Sequence, residues 1–323
     1  MPDLKQAAFS SLNNAASNDY AIGHFNVANM EQILGVLQGA AEARAPVILA
    51  FSRAAWAYAG ERMLRAMARA AQERFPDLTL SIHHDHGTEE TCLRAIAAGG
   101  YTSVMIDASH LAFEQNIAAT RRVVERAHDA GVWVEAELGV LAGVEDERSV
   151  REDQALLTDP DQAAEFVART GADSLAVAVG TSHGAYKFEG AAGLRLDRLA
   201  QIQRALPGFP LVLHGASHVD PGDVARINAA GGALAPSAQG VDEGELREAV
   251  RLGIAKVNFG TDGRLVWMRV HREFFRDHPE EFDFTGPGAD SIRELSRMVA
   301  HKCKILGSAG RLDEVRADSE AGG

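Results

Sequence analysis

Four titratable side chains lie together where a buried strand is predicted to end. The stretch LSIHHDHGTEE places His83, His84, Asp85 and His86 between an apolar run and a glycine. Buried polar groups without partners cost free energy, so a metal ion, hydrogen bonds or water must satisfy them. Side chains alternate along a strand, so His83 and Asp85 share one face, and His84 lies on the outer face. We interpret Asp85 as a candidate for proton transfer and His83 as a structural or supporting residue.

Two later histidines, His183 and His214, also follow apolar runs. A single histidine after a strand is more often structural. Three imidazoles that meet at one point, with a further position open, form a catalytic site of the zinc type. Such a metal polarises a carbonyl oxygen as a Lewis acid. The sequence therefore predicts a metal site at His86, His183 and His214.

The pattern of apolar residues predicts the strands and helices that carry these side chains. Eight short apolar runs alternate with amphipathic helical patterns, as is typical of parallel strands buried on both faces. We predict a single (β/α)8 barrel domain over 1–323, with an extra C-terminal helix at about 288–307 and a flexible tail at 312–323. An open doubly wound sheet is the alternative, but no G-x-G-x-x-G follows the first predicted strand.

Active sites of such barrels lie at the carboxyl ends of the strands. The polar residues that close the predicted strands are Asn26, Ser52, Asp85 with His86, Asp107, Glu137, His183, His214 and Asn258. Each of these side chains is able to bind a ligand or a metal. We therefore expect one polar mouth at this end of the barrel.

Small residues near the later strands suggest an anion site. Glycines beside serine or threonine let backbone N–H groups approach an anion, and barrels of this kind often bind phosphate at their last strands. The predicted cradle comprises Gly184, Gly215, Ser217, Gly260 and Thr261. Ordinary tight loops are the alternative.

A long acidic loop follows the fifth predicted strand, over 138–160. Loops of this length without structure of their own are often lids. Glu145 and Asp146 follow the small pair Ala142-Gly143, and either carboxylate could serve as a base when the lid closes. A solvated run of charges is the alternative.

Composition limits the class of protein. The net charge of −13 and the pI of about 5.4 argue against binding to nucleic acid or to an anionic membrane. Cys92 and Cys303 are far apart and suggest no disulfide framework. No signal peptide and no apolar run of about 18 residues is evident. We expect a reduced, cytoplasmic protein.

The motifs HHDHG, MIDAS, VEAELG, GTSHGAYKF, LHGAS and KVNFGTD occur in this order between about residues 20 and 311. In these motifs the chain resembles the class II, metal-dependent fructose-bisphosphate aldolases. The resemblance implies a (β/α)8 barrel, a homodimer or homotetramer, and a role in glycolysis. The implied reaction is the aldol cleavage of fructose 1,6-bisphosphate to dihydroxyacetone phosphate and glyceraldehyde 3-phosphate. In this reaction a divalent cation polarises the C2 carbonyl and stabilises the enediolate, and a carboxylate deprotonates the C4 hydroxyl.

The resemblance also assigns roles. It implies that His86, His183 and His214 hold the catalytic cation, usually Zn²⁺, and that Asp107 and Glu137 can hold a second metal; a monovalent cation is also allowed. Asp85 matches the acid/base residue, and Glu145 the lid residue that moves the C3 proton of dihydroxyacetone phosphate. The substrate-contacting positions are Asn26, Ser52, Gly184, Gly215, Ser217, Asn258 and Thr261.

Two positions depart from the family pattern. Gly260 stands where many relatives have Asp, and Thr285 where many have the arginine that binds the distal phosphate. Loss of an arginine–phosphate contact costs on the order of 1.5–3 kcal/mol. Another arginine substitutes, for which Arg53, Arg264, Arg293 and Arg297 are the candidates, or the substrate differs. The alternative substrates are a ketose 1-phosphate, without a distal phosphate, and tagatose 1,6-bisphosphate.

Two other functions are compatible with parts of the sequence. A Schiff-base aldolase needs a buried lysine of lowered pKa; of the five lysines only Lys256 lies on a predicted barrel strand. A phosphosugar sensor without catalysis could lose Asp85 or a metal histidine without penalty, yet all are present.

Overall fold

The structure, a computed structural model, describes residues 4–140, 142–145, 148–150, 156–183, 193–235, 238 and 240–321. Side chains are described in the same ranges except 4–10, 142–145, 148–150, 182–183 and 319–321.

Eight parallel strands form a closed barrel, in the order β1-β11-β10-β8-β5-β4-β3-β2. The strands of the described chain are β1 (Ile22–Asn26), β2 (Val47–Ser52), β3 (Leu80–Gly87), β4 (Ser103–Ile106), β5 (Trp133–Leu138), β6 (Ala142–Glu145), β7 (Arg148–Val150), β8 (Ser174–Val177), β9 (Ser182–His183), β10 (Leu211–Leu213) and β11 (Ile254–Phe259). The predicted (β/α)8 barrel is thereby confirmed, and the open sheet is excluded because β1 pairs with both β2 and β11.

Helices surround the barrel and extend it at both chain ends. They are α1 (Leu4–Ser17), α2 (Met30–Ala43), α3 (Arg53–Ala59), α4 (Glu61–Arg74), α5 (Glu89–Ala98), α6 (Phe113–Asp129), α7 (Pro160–Thr170), α8 (Leu196–Ala205), α9 (Pro221–Ala229), α10 (Glu243–Arg251), α11 (Thr261–Asp277), α12 (Thr285–Ile305) and α13 (Leu312–Ala321). Among the described helices, none is both long and apolar enough to cross a membrane.

Local sequence explains where many helices begin. Asp159 and Asp220 each accept hydrogen bonds from backbone N–H groups of the first helical turn, and a proline follows each of them. An aspartate side chain at this position accepts hydrogen bonds from N–H groups that have no partner within the helix. Proline suits the next position because it has no N–H group that would need a partner there. These caps therefore define where α7 and α9 begin.

The main apolar core lies between the barrel and its helices. All six residues of β2 and of β5 are buried, as expected for strands covered on both faces. The inside of the barrel contains a small apolar cluster of Met105, Ala176 and Val212. Polar side chains occupy much of the remaining interior, toward the carboxyl ends of the strands.

The extra C-terminal helix, predicted at about 288–307, is α12 at Thr285–Ile305. It packs along α2, where Gly35 and Gly39 face it. A Cβ atom on Gly39 would lie 2.4 Å from the carbonyl oxygen of Ser296. The absence of a side chain therefore permits the close approach of the two helices.

The chain end differs from the prediction of a flexible tail at 312–323. Residues Leu312–Ala321 form α13, which packs against α1. Val315 is buried in one cluster with Leu12 and Tyr20, and Arg311 lies over the Tyr20 ring at 5.2 Å. This helix is held because Val315 packs with Leu12 of α1 and Leu312 is buried in the main core.

The acidic loop predicted at 138–160 contains structure of its own. Strands β6 and β7 form an antiparallel pair, and β6 also pairs in parallel with β9, Gly143 lying opposite His183. The segment that carries Glu145 is thus joined through its backbone to the segment that carries His183. Asp146 lies outside the described residues.

Candidate active site

Two of the three predicted metal-binding histidines meet at the carboxyl end of the barrel. Nε2 of His86 lies 3.0 Å from Nδ1 of His214, and the rings are nearly perpendicular. Glu137 contributes a carboxylate. His86, Glu137 and His214 each offer one donor atom, and these three atoms lie within 4.8 Å of one another. Two ring nitrogens that face each other this closely require a proton or a cation between them. This donor set fits a divalent cation such as Zn²⁺.

His86 has an unusual backbone conformation. Its φ angle is 45°, in the left-handed region, and the β3–β4 register shifts between His84 and Gly87. A non-glycine residue in this region stores strain, which is typical of functional sites. The irregularity turns the imidazole of His86 away from the strand alternation and toward His214.

Asp107 contacts His86 on the side opposite His214. Its Oδ2 lies 3.2 Å from Nδ1 of His86, and Glu137 Oε2 lies 3.9 Å from the same nitrogen. Such outer contacts orient a metal-binding histidine. The geometry supports an orienting role for Asp107; a second metal at Asp107 and Glu137 stays a prediction.

The third histidine, His183, is described only through its backbone in β9. Its side chain lies outside the described residues, as does the side chain of Glu145, and Gly184 is outside them entirely. Their assigned roles therefore stay predictions.

Asp85 is almost fully buried next to the two histidines. Nδ2 of Asn26 donates a hydrogen bond to its Oδ2 at 2.7 Å, and Nε2 of His24 lies 3.5 Å from the same oxygen. Burial by itself raises the pKa of Asp85, but the imidazoles of His24 and His86 outweigh it and hold the pKa well below its usual range. The carboxylate is thus ionised and able to accept a proton.

His24 is a residue of this site that the sequence analysis did not single out. It is fully buried inside the barrel, where its Nε2 faces Oδ2 of Asp85. Burial lowers its pKa, and the nearby Lys256 lowers it further. Its position two residues before Asn26, on the inward face of β1, was the available signal.

The two remaining histidines of the HHDH run face opposite sides, as predicted. His83 points inward, with Nδ1 2.7 Å from Oγ of Ser103. His84 points outward but is buried rather than on the surface, and it stacks on Trp56 at 4.0 Å. Burial lowers the pKa of His84 to about 4, so it is neutral at physiological pH.

Lys256 takes part in a buried ion pair that the sequence did not reveal. Its Nζ lies 2.7 Å from Oε2 of Glu135 and donates a hydrogen bond to Oδ1 of Asn258 at 2.8 Å. Burial raises the pKa of Glu135, but Lys256 and His214 outweigh this and leave it below its usual range. An ammonium engaged in this way is a poor nucleophile, so the geometry argues against a Schiff-base mechanism.

The predicted substrate positions on β1, β2 and β11 surround the same mouth. Asn26 and Asn258 contact Asp85 and His214 respectively. The hydroxyl of Ser52 accepts a hydrogen bond from the backbone N–H of Ala55 and thereby caps α3.

The described members of the predicted phosphate cradle follow β10 and β11. Gly215 has a φ of 61°, and the carbonyl of Ser217 accepts a hydrogen bond from Val241. Thr261 begins α11, whose N-terminal N–H groups favour an anion. A Cβ atom on Gly260 would lie 3.4 Å from Oδ1 of Asn26, which places Gly260 next to the pocket residue Asn26.

The four candidate arginines differ in their positions. Arg53 is the first residue of α3, directly after Ser52 at the barrel mouth. Arg293 and Arg297 pair with acidic residues of their own helix, Asp290 and Glu294. Arg264 is exposed in the first turn of α11.

Thr285 begins α12 in an exposed segment. Its backbone N–H and its hydroxyl donate hydrogen bonds to Oδ1 of Asp283, at 2.8 and 2.7 Å. This local turn occupies the position at which the sequence analysis expected an arginine from the family resemblance, and Phe282 and Phe284 beside it are largely exposed.

Comparison with known proteins agrees with the site. The family model described as "Fructose-bisphosphate aldolase class-II" matches residues 7–311. The chain is 46% identical over 305 residues to a fructose-bisphosphate aldolase of Thermus caldophilus, covering 93% of this chain and 97% of the relative. It is 42% identical to a fructose-bisphosphate aldolase of Giardia intestinalis, with 95% and 94% covered. The crystal structure of the YdjI aldolase from Escherichia coli K12 superposes with a TM-score of 0.75 at 29% identity, covering 97% of this chain and 99% of that one.

Proposed function

Because the chain belongs to the class II fructose-bisphosphate aldolase family, we propose that it catalyses the reversible aldol cleavage of fructose 1,6-bisphosphate to dihydroxyacetone phosphate and glyceraldehyde 3-phosphate. One observation carries the proposal. The facing nitrogens of His86 and His214 lie at the same barrel mouth as the buried, ionised carboxylate of Asp85. A cation site beside a proton acceptor is the arrangement that this reaction requires.

We propose that His86 and His214, with His183, hold a divalent cation, Zn²⁺ being the first candidate. Burial lowers the pKa of His214 to about 4, so its imidazole is neutral and able to bind a cation at physiological pH. When bound, the cation would polarise the C2 carbonyl of the substrate and offset the charge that develops as the carbon–carbon bond breaks. Asp107 orients His86 from the opposite side.

Asp85 takes the proton of the C4 hydroxyl in the cleavage direction. The hydrogen bond from Asn26 holds its Oδ2 in place. In condensation the same carboxylic acid returns the proton to the aldehyde oxygen, as microscopic reversibility requires.

The second proton, at C3 of dihydroxyacetone phosphate, is assigned to Glu145. This residue ends β6, which pairs with the strand that carries His183. Closure of this segment would bring a carboxylate over the mouth and exclude water.

We also propose that the N-terminal end of α11, with Gly215 and Ser217, binds the phosphate of the dihydroxyacetone phosphate half. A homodimer or homotetramer is proposed from the family. A reducing, cytoplasmic setting is proposed because Cys92 and Cys303 are free, buried thiols.

Metal removal tests the proposed function. We expect cleavage, followed by coupled oxidation of NADH, to stop after dialysis against a strong chelator and to return with Zn²⁺ or Co²⁺. Borohydride reduction in the presence of substrate should leave the chain unlabelled, since Lys256 is engaged with Glu135. Full activity in protein shown to be metal-free would refute the proposal.

A further inference from the structure

A lysine, a glutamate and a proposed metal-binding histidine form one chain of contacts inside the barrel. Nζ of Lys256 on β11 lies 2.7 Å from Oε2 of Glu135 on β5. Oε1 of Glu135 lies 2.8 Å from Nε2 of His214, which follows β10. All three side chains are at most 2% exposed. Both carboxylate oxygens are thus held by groups of the barrel interior.

The Glu135 contact determines which nitrogen of His214 carries the proton. A carboxylate only accepts hydrogen bonds, so the proton lies on Nε2. The lone pair of Nδ1 then points toward Nε2 of His86, 3.0 Å away. Glu135 therefore selects the tautomer whose Nδ1 can bind a cation between the two histidines.

Lys256 completes the arrangement in two ways. Its ammonium offsets the charge of Glu135, since a buried carboxylate without a cation is costly. It also donates a hydrogen bond to Oδ1 of Asn258, and this orients the amide of Asn258 beside the His214 ring. The lysine thus fixes two side chains of the site without touching the reacting atoms.

We propose that Glu135, held by Lys256, is a positioning residue that fixes the tautomer and the ring orientation of His214 for metal binding. The inference rests on the proposed function, because that function makes His214 a metal-binding residue. Carboxylate contacts to metal-binding histidines typically change metal affinity 10- to 100-fold. The competing explanation is an ion pair that only fills the barrel interior, and it predicts an effect on stability alone.

The double variant Glu135→Gln/Lys256→Met separates these explanations. It removes both charges at nearly constant size, so no unpaired charge is left in the interior. The matched control is Asp262→Asn/Lys302→Met, which removes another buried carboxylate–ammonium pair, 3.1 Å apart, between the start of α11 and the end of α12. Both pairs are buried, and the first includes Glu135, which contacts His214.

Metal binding is measured directly, without reference to catalysis. Competition with a chromophoric chelator gives the Zn²⁺ dissociation constant, and visible absorption reports the geometry of bound Co²⁺. We expect the Glu135/Lys256 variant to bind Zn²⁺ roughly 10- to 100-fold more weakly than wild type, with a changed Co²⁺ spectrum. The control should keep the wild-type affinity and spectrum while its melting temperature falls.

Wild-type affinity and an unchanged spectrum in the Glu135/Lys256 variant would overturn the proposal. If that variant does not fold, Glu135→Asp replaces it, because it keeps the charge but withdraws the carboxylate by one methylene group. The same loss of Zn²⁺ affinity in Glu135→Asp would support the proposal, and a wild-type Zn²⁺ affinity in this variant would overturn it. A wild-type protein that binds Zn²⁺ but cleaves no ketose bisphosphate would contradict the proposed function and leave this measurement valid.

Discussion

Asp85 gains its proposed role from its immediate contacts. A carboxylate that is almost fully buried normally favours protonation, but here the imidazoles of His24 and His86 and the amide of Asn26 stabilise the ionised form. His24 contributes to this from a strand distant in sequence. The acid/base group therefore depends on two strands, β1 and β3, although the HHDH motif alone already pointed to Asp85.

Replacement of Asp85 tests this role. We expect Asp85→Asn to lower kcat by about 10²- to 10⁴-fold, since general acid–base catalysis contributes that much. The Zn²⁺ content should not change, because His86 and His214 are intact. Metal analysis and steady-state kinetics check both statements.

A matched control is Asp173→Asn, which alters a carboxylate that accepts hydrogen bonds next to the start of β8, at the opposite end of the barrel. Its kcat should equal that of wild type. Near-normal turnover in Asp85→Asn would assign the proton transfer to another group.

Arg53 is the arginine that we expect to replace the missing contact at Thr285. It follows Ser52 directly, at the mouth that holds Asp85. We expect Arg53→Met to lower kcat/KM for fructose 1,6-bisphosphate roughly 10- to 100-fold, the equivalent of one arginine–phosphate contact. Activity toward fructose 1-phosphate should change little.

The comparison needs both substrates and one control variant. Arg293→Met removes an arginine that is paired with Asp290 on α12, and both activities should persist. If Arg53→Met lowered kcat/KM equally for the two substrates, a role for Arg53 at the distal phosphate would be contradicted.

At the scale of elements, the packing of α12 on α2 depends on glycine. Gly39→Ala places a Cβ atom 2.4 Å from the Ser296 carbonyl oxygen and 2.8 Å from Cβ of Val299. Overpacking of this kind costs about 1–3 kcal/mol. We expect a corresponding fall in the free energy of unfolding, measured with urea.

The control is Gly263→Ala, which also replaces a glycine within a helix by alanine. It lies in helix α11, and its nearest atom to an added Cβ is 3.8 Å away. Alanine should stabilise this helix by about 0.5–1 kcal/mol relative to glycine. The two substitutions are therefore expected to have opposite signs, and a stabilising effect of Gly39→Ala would show that the helices can separate without cost.

At the scale of the whole molecule, both cysteines are enclosed by the finished core. Burial raises the pKa of Cys303 from 9.0 to about 11, and it also raises the pKa of Cys92. The thiolate is the reactive form, so neither thiol should react with a disulfide reagent at pH 8 until denaturant is added. Both should react after unfolding.

The same shift makes stability depend on pH. A raised pKa in the folded state means that the contribution of Cys303 is fully present below pH 9 and is lost as the pH rises toward about 11. The expected loss is on the order of 2–3 kcal/mol. Urea titrations of wild type and Cys303→Ala over this range should differ by this amount, and parallel curves would contradict it.

The pattern of apolar and polar residues was enough to predict the barrel and to point to most of the proposed site residues. Eight apolar runs separated by amphipathic segments leave few architectures that bury both faces of a parallel sheet. The HHDH run and His214 stood at strand ends, where the barrel collects functional groups. Alternation along β3 also separated His83 from His84 correctly.

Tertiary structure alone decided how these residues work together. The Lys256–Glu135–His214 contacts join three strands that are far apart in sequence, and no local pattern encodes such a pairing. The left-handed backbone of His86 depends on a register shift between neighbouring strands. The order of α13 depends on partners near the other end of the chain. Local preferences fix the elements, whereas contacts distant in sequence fix protonation, strain and orientation, because these arise only when the barrel closes.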